Sequence, residues 1–419
     1  MRLPVFIEET RRQLRADRLW AAAFIATLLL PLMLIYARAG IEICCAIIGI
    51  AFLIHSARAK NWQWLRAPFT LVCFAMWAWL VLIVTPLAIT PKAGLVEALL
   101  WFRLPLLFAA LRYWVLAQPA ARAMLGVVLL VLVSLIALDC FAQFFTGMSL
   151  TGHARLASGR LTGPFSGPKV GYFLGQLVIP AVALCLMAAR RKRHTLLVLG
   201  LLAAAIVAII FSGERSAFLT TMLAVATTLG LLMLAEKRLR VIGFALAVLV
   251  IAGLAGLYVA SPWVQLRAGQ ALAVMGNYWQ TDYGILARAG LDIGEAHPLH
   301  GAGLHGYRDL SPTVIYNGDP FHGLHPHNAF IEWFAETGVP GLLLFVLSII
   351  LLAKQAVGEF CRVPVTYCLA PAAALGVLVQ HFFPFMGMQS AFNNWSALLQ
   401  WYGLALVFAA MGTRGAEKA

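Results

Sequence analysis

The amino-acid sequence predicts an all-α polytopic membrane protein with about twelve transmembrane helices and one large extramembrane loop. The chain of 419 residues is 62% hydrophobic and only 11% charged, which is too apolar for a single globular core. Its apolar runs approach the roughly 20 residues that a helix needs to cross the hydrocarbon layer. The cations separate these runs and form no single basic face, so the net charge of +14 does not indicate a nucleic-acid partner.

Twelve apolar stretches define the predicted spans. The first is predicted to be a retained span, because no small-residue cleavage site follows the N-terminal arginines. The second is short, and the fourth contains Arg103. These spans divide the chain into helices 1–9 in residues 1–260, a loop in residues 261–328, and helices 10–12 in residues 329–419. The predicted spans are 20–36, 40–55, 68–89, 96–115, 122–144, 170–189, 194–211, 217–235, 240–260, 329–353, 365–384 and 393–411.

The distribution of cations predicts the orientation of the chain in the membrane. With the N-terminus in the cytoplasm, 21 of the 31 lysines and arginines fall in cytoplasmic segments and nine fall outside. Cytoplasmic loops are enriched in these residues, so both termini are predicted to be cytoplasmic. Seven of the nine external cations lie in three segments, 145–169, 212–216 and 261–328. An anionic ligand handled at the outer surface would explain them; lipid headgroups or nearby carboxylates are the alternative.

The loop 261–328 is the only large extramembrane segment predicted. Residues 261–296 repeat apolar side chains at three- and four-residue steps, which predicts an amphipathic helix at the outer leaflet. Six of the ten histidines fall between His297 and His327, and this density raises a metal hypothesis. However, the proline between His325 and His327 stiffens that pair, and no paired acids of the DxD type occur externally. We therefore predict no metal and no cofactor.

Two ionisable residues fall inside predicted spans, Arg103 and Asp139. Charged groups in a membrane are functional candidates by default. The alternative is that these two side chains pair with each other. The seven cysteines lie in or beside apolar segments without a CxxC pair, so neither a disulfide framework nor a thiolate metal site is indicated.

Four motifs carry a resemblance to a known family. His327-Asn328, nine residues and then Gly338-Val-Pro-Gly341 resembles the HN-x9-GxxG signature of the O-antigen ligase family. Three further segments agree in order and position over residues of about 150 to 345: RLTGPFSGPKVGYFLG (160–175), SGERSAFL (212–219) and HPLHGAGLHGY (297–307). The chain departs from relatives that carry Asn after the GPF-type turn, and Lys169 is the candidate replacement as an anion contact.

The resemblance implies a GT-C-like membrane fold and a metal-independent glycosyltransferase of lipopolysaccharide biosynthesis. Such an enzyme transfers O-antigen polysaccharide from undecaprenyl diphosphate to a sugar hydroxyl of lipid A–core. The implied location is the bacterial inner membrane with a periplasmic active site, and the implied partners are the lipid-linked O-antigen, lipid A–core and the bilayer. Both substrates are lipid-tethered, so the reacting groups should lie near the membrane surface.

The acceptor hydroxyl must lose a proton as it attacks the anomeric carbon. A neutral imidazole suits a general base near neutral pH, and His327 stands at the predicted external end of a span. Asn328 and Glu332 are predicted to orient this imidazole or the sugar, with His325 and Ser216 in supporting positions. Direct attack without a covalent intermediate predicts inversion at the anomeric carbon. The alternative is that His327 only caps a helix.

The leaving lipid diphosphate needs its developing charge stabilised. Arg215 is predicted to bind it, because SGERS opens a span and a helix N-terminus adds backbone N–H donors. Arg288 on the loop helix, Arg160 and Lys169 are the further predicted diphosphate ligands, since guanidinium groups suit phosphate oxygens and the lysine ammonium adds positive charge. The alternatives are an interfacial anchor for Arg215 and a salt bridge of Arg288 with a neighbouring aspartate.

Three other functions stay open on the sequence. An O-antigen polymerase and a protein O-glycan ligase use the same donor with a different acceptor. A transporter of the lipid-linked glycan would involve no chemistry, but it commonly shows internal repeats and polar groups near the bilayer midplane. The halves of this chain show no evident repeat, and its polar cluster lies at one surface.

Overall fold

The computed structural model describes residues 3–189, 191–313, 315–316, 319–320, 323–385, 387 and 389–411. It confirms an all-α polytopic architecture, with a two-residue antiparallel ladder of β1 (Ile315–Tyr316) and β2 (Asp319–Pro320). The helices are α1 (Leu3–Ala16), α2 (Arg18–Tyr36), α3 (Arg38–Arg58), α4 (Pro68–Trp79), α5 (Thr85–Leu87), α6 (Pro91–Trp101), α7 (Arg103–Ala110), α8 (Pro119–Thr146), α9 (Val170–Ala188), α10 (Lys192–Ser212), α11 (Arg215–Ala235), α12 (Lys237–Ala260), α13 (Pro262–Gly276), α14 (Asp282–Ala296), α15 (Gly306–Leu310), α16 (Ala329–Arg362), α17 (Leu369–Phe382) and α18 (Asn394–Met411).

Helices occupy all twelve positions at which the sequence predicts a span. Among the described residues, nine helical segments are long and apolar enough to cross a membrane. They are α2, α3, α4 with a π-turn and α5 (Pro68–Leu87), α6 with α7 and a π-turn (Pro91–Val115), α8, α9, α10, α11 and α16. The remaining three positions hold α12, α17 and α18.

The fourth predicted span is broken immediately before Arg103. Its guanidinium approaches Glu42 with Nε to Oε2 at 3.3 Å and donates to Asn394 Oδ1 at 2.6 Å. The suggested pairing of Arg103 with Asp139 is therefore wrong. Asp139 instead accepts from the backbone N–H of Leu150 at 2.5 Å and holds the segment that follows α8. Each of these ionisable groups thus has a local polar partner, although Asp139 Oδ2 makes no hydrogen bond within the described residues.

Two helical segments differ from the sequence prediction. The amphipathic helix predicted over 261–296 is two helices, α13 and α14, separated by a 3₁₀ turn at Tyr278–Gln280. The second begins afresh because the Thr281 hydroxyl caps it and accepts from the Gly284 N–H at 3.2 Å. The helix α1 was not predicted, although LPVFIEETRRQLRA alternates apolar and charged residues at helical spacing.

The centre of the bundle is formed by α9 and α18, which are buried along almost their whole length. Helix α9 packs against α8, α10, α11, α17 and α18. Outer helices such as α10 keep apolar side chains exposed, for example Leu196 and Leu197, each 60% exposed. A lipid-facing surface of this kind is what a membrane span requires. The start of α9 therefore lies at the middle of one end of the bundle.

The glycine-rich segment of the long loop packs on a kink in α16. The kink is at Gly338, whose φ of 71° and ψ of −175° are non-helical. The backbone groups freed by the kink bond to the loop: the Ala302 N–H donates to Ala335 O at 2.8 Å, and the Val339 N–H donates to Pro298 O at 2.8 Å. The first glycine of the GxxG pattern thus serves loop docking.

Candidate functional site

His327 lies immediately before α16, in a left-handed backbone conformation with φ of 53°. The next residue, Asn328, caps the helix, and its Oδ1 accepts from the N–H groups of Phe330 at 3.0 Å and Ile331 at 3.2 Å. Its Nδ2 donates to Pro384 O at 2.8 Å, in the connection between α17 and α18. Asn328 therefore caps the start of α16 and holds the α17–α18 connection beside it.

His325 supports the backbone of His327. Its Nδ1 accepts from the His327 N–H at 3.2 Å, and the two ring centroids are 4.0 Å apart. Burial lowers the pKa of His325 to about 3, helped by repulsion from His327 and Arg308. The ring is therefore neutral at physiological pH and able to act as this acceptor.

Glu332 lies one turn into α16 and is 3% exposed. Its Oε1 accepts from the Ser390 hydroxyl at 2.5 Å, and its Oε2 accepts from the Ala391 N–H at 2.7 Å. Both carboxylate oxygens are thus engaged by the α17–α18 connection. Asn328 and Glu332 together hold that connection against the start of α16.

Gly387 of the same connection lies between the starts of α11 and α14. A side-chain carbon added to Gly387 would lie 3.1 Å from Ser216 Oγ and 3.8 Å from Tyr283 Cε1. The Tyr283 ring in turn meets the His327 ring edge to face, with centroids 5.1 Å apart. Arg215 is the first residue of α11, beside Ser216. Tyr283 and Gly387 therefore link the N-terminal turn of α11 to the imidazole of His327.

Glu214 links the start of α11 to the start of α9. Its carboxylate accepts from the N–H groups of Gly171 at 2.8 Å and Tyr172 at 3.2 Å, which caps α9. Burial raises the pKa of Glu214 to about 7, although the two backbone bonds and the nearby Arg160 guanidinium favour the charged form. The turn before Arg215 is thus fastened to the centre of the bundle.

Arg160 and Lys169 flank the same two helix starts. The Arg160 Cγ lies 3.3 Å from where a side-chain carbon on Gly213 would be, and Gly213 has a positive φ of 75°. The exposed Lys169 precedes α9, and its Nζ lies 5.1 Å from the centroid of the Trp395 ring. Both cations therefore lie at the end of the bundle that carries Arg215.

Arg288 is not brought next to His327. It is exposed on α14, and its guanidinium lies 5.8 Å from the centroid of the Trp279 ring. Gly290 on the same helix packs against Ile331 of α16, and side chains two positions apart on a helix point about 200° apart. Arg288 thus points away from α16. Within the described part of the chain it makes no ion pair with Asp282 or Asp292.

A metal site would need several donor side chains close together. Among the described residues, no group of three or more His, Cys, Asp or Glu side chains could hold a metal ion. His322, one of the six clustered histidines, lies outside the described residues. Instead, His305 pairs with Glu97 of α6, with Nε2 to Oε2 at 3.0 Å, which fastens the glycine-rich segment to the first half of the chain.

Sequence reasoning missed Tyr283, Glu214 and the α17–α18 connection. Glu214 lies inside the SGERS motif, but only Arg215 and Ser216 of that motif were predicted to have a role. The connection FPFMGMQSAFNN carries Pro, Gly and polar residues at the predicted external end of two spans, which was the available signal. No periodicity within one segment could assign Tyr283 to the neighbourhood of His327, because the contact joins two different helix starts.

Part of the chain matches a known protein family. A family model described as O-antigen ligase matches residues 200–346, from within α10 to within α16. This range contains the starts of α11 and α14, the glycine-rich segment and the HN-x9-GxxG pattern, so the resemblance predicted from the motifs is confirmed over these residues. None of the curated proteins compared with the chain matches it. The family match supports a function of the O-antigen ligase or polymerase type.

Proposed function

From the match to the O-antigen ligase family over residues 200–346, we propose that this membrane protein is an O-antigen ligase. It transfers O-antigen polysaccharide from undecaprenyl diphosphate to a sugar hydroxyl of lipid A–core. The reaction takes place at the periplasmic face of the bacterial inner membrane, on a GT-C-like fold with both termini in the cytoplasm. The observation that carries the proposal is the chain of contacts from His327 through Tyr283 and Gly387 to the start of α11.

His327 is the proposed general base. The acceptor hydroxyl oxygen attacks the anomeric carbon of the donor while its proton passes to the imidazole, and the bond from that carbon to the diphosphate oxygen breaks. Attack from the side opposite the leaving group inverts the anomeric configuration. The capping bonds of Asn328 and the acceptor nitrogen of His325 support this role, because they hold the backbone on both sides of the imidazole.

The diphosphate is proposed to bind at the start of α11. Arg215 supplies a guanidinium, and the first turn of the helix supplies backbone N–H groups and the positive end of the helix dipole. Arg160 and Lys169 flank this place and add positive charge. This arrangement gives the leaving diphosphate the stabilisation that a divalent cation gives in other enzymes, so the proposed reaction needs no metal or cofactor.

Arg288 and Tyr283 are proposed to serve the substrates from the loop helix α14. Arg288 faces away from α16, so it would contact the donor only after α14 moves, as in other enzymes whose loops close on bound substrate. Tyr283 already contacts His327 and is 45% exposed, so its ring can meet a sugar beside the base.

Deletion of the gene in its own host tests the proposal. The expected result is long O-antigen polymer that accumulates on the lipid carrier while lipid A–core stays bare, with rescue by the wild type but not by His327→Asn at equal protein level. Absence of any polymer would instead indicate a polymerase. Loss of glycoprotein staining with normal lipopolysaccharide would indicate a protein O-glycan ligase. Full rescue by the His327 variant would favour transport without chemistry.

A further inference from the structure

A cavity of about 280 Å³ opens at the far end of α3 from the candidate site. Glu42, near the start of α3, accepts a hydrogen bond from Asn394. The next residue, Trp395, lies against Lys169 of the candidate site. His55 of the cavity is 13 residues after Glu42 along α3, about 20 Å away at 1.5 Å per residue. The cavity is lined by Phe52, His55, Ser56, Asn61, Gln63, Trp64 and Tyr113.

The aromatic walls of the cavity are held in place before any ligand binds. The Trp64 Nε1–H donates to the Ser56 hydroxyl at 3.2 Å, and its ring packs on Phe52 with centroids 5.0 Å apart. The His55 ring stacks on Trp114 with centroids 4.7 Å apart. Phe52 and Ser56 are almost fully buried, at 2% and 1% exposure. Largely preformed concave sites with aromatic walls are typical of small-ligand pockets.

The mouth of the cavity presents hydrogen-bond donors. Asn61 and Gln63 are both exposed, and the Asn61 Oδ1 is occupied by the Gln63 backbone N–H at 3.2 Å. Within the described residues, neither side-chain amide nitrogen makes a hydrogen bond, nor does the Tyr113 hydroxyl. Three side chains therefore have donors to offer to a ligand with acceptor oxygens.

The turn at the rim of the cavity carries only positive charges, and beyond it the Glu359 carboxylate interacts with Arg112. Arg58, Lys60 and Arg66 are exposed in the turn that forms its rim, and the Arg112 guanidinium lies 5.3 Å from the centroid of the Tyr113 ring. In the sequence, no Asp or Glu occurs anywhere from residue 43 to residue 96. These cations therefore attract an anion, and residues 43–96 contain no carboxylate that would repel it.

We propose that this cavity binds the headgroup of an anionic glycerophospholipid. The phosphate diester accepts hydrogen bonds from Asn61 and Gln63 and is neutralised by the rim cations, while the acyl chains follow the outer surface of α3. Tryptophan and tyrosine at a helix end are typical of the membrane–water interface, which is the depth of a lipid headgroup. Basic pockets between spans are known sites for such headgroups. The site is separate from the proposed glycosyl transfer and does not depend on it.

Native mass spectrometry of the full-length protein tests the site. Protein released from nanodiscs of equal phosphatidylglycerol and phosphatidylcholine should retain the anionic lipid about tenfold over the neutral one, which corresponds to about 1.4 kcal/mol. Lys60→Gln with Arg66→Gln should remove most of this preference, because the two lipids share the phosphate diester and differ in net charge. Asn61→Leu with Gln63→Met removes the donors at similar volume and should lower the retention of both lipids several-fold.

Lys237→Gln with Arg238→Gln is the matched control, because it removes the same charge from exposed residues at the start of α12. It should keep the wild-type preference, and all variants should show the wild-type unfolding temperature. Equal loss in the control, equal retention of both lipids by the wild type, or displacement of the lipid by millimolar inorganic phosphate would each overturn the proposal.

Discussion

Replacement of Gly338 by alanine should undock the glycine-rich segment from α16. Gly338 has φ of 71° and ψ of −175°, a region that is essentially restricted to glycine and costs other residues about 1–3 kcal/mol. The added carbon would also lie 2.7 Å from the Pro298 carbonyl oxygen and 2.8 Å from the His300 backbone nitrogen. Both are backbone atoms, so the segment must shift. We expect a loss of roughly 2 kcal/mol or more in the free energy of unfolding.

Two measurements check this expectation. Thermal unfolding in nanodiscs should show a midpoint lowered by a few degrees, and hydrogen exchange should show lost protection of the Ala302 and Val339 N–H groups. Gly358→Ala in the same helix is the control, because nothing lies within 4 Å of its added carbon. It should be neutral or stabilising by up to about 1 kcal/mol. Equal behaviour of the two variants would refute the reasoning.

Three further outcomes follow from the site. Burial raises the pKa of Glu214 to about 7 from an unfolded 4.5, so ionising this carboxyl costs the folded state up to about 3 kcal/mol. The wild type should therefore lose stability relative to Glu214→Gln as pH rises from 4.5 to above 7, and parallel melting curves across that range would contradict this. The Glu97 carboxylate raises the pKa of His305, so this pair stabilises loop docking below about pH 6.5 and the contribution is lost as pH rises through the raised pKa. Hydrogen exchange of the docked segment, corrected for intrinsic rates, should show this pH dependence in the wild type and not in Glu97→Gln; the same dependence in both would exclude the pair as its source. In a transfer assay, Tyr283→Phe should keep near-normal turnover while Tyr283→Ala loses roughly tenfold or more, because the ring packs against His327; equal turnover of these two variants would show that the ring contact is dispensable.

The spans and the positions of His327 and Arg215 were predictable because each depends on a local pattern. A run of apolar residues predicts a helix at its own position, and the HN and SGERS motifs each begin one. The amphipathic α1 was equally readable from its periodicity but was missed. The break before Arg103 depends on partners in α3 and α18, and those partners follow only from packing.

The surroundings of His327 could not be predicted from the sequence for the same reason. Tyr283 contacts it from another helix, and Gly387 lies between Tyr283 and Ser216 of a third helix. These contacts join residues far apart in the chain, where no periodicity applies. The GxxG pattern could be recognised from the sequence. Its reason could not, because only the docked loop shows that Gly338 leaves room for the backbone of residues 298–300.

Glycosyl transfer by the purified full-length protein tests the central proposal most directly. Nanodiscs would contain lipid-linked O-antigen and lipid A–core, with a chelator present. We expect polysaccharide to be transferred to the core with inverted anomeric configuration, and His327→Asn, which tolerates the same left-handed backbone, to lower the rate about 10²- to 10⁴-fold. Gly358→Ala should transfer normally. Full activity of the His327 variant, loss of activity on chelation, or retained stereochemistry would contradict the account.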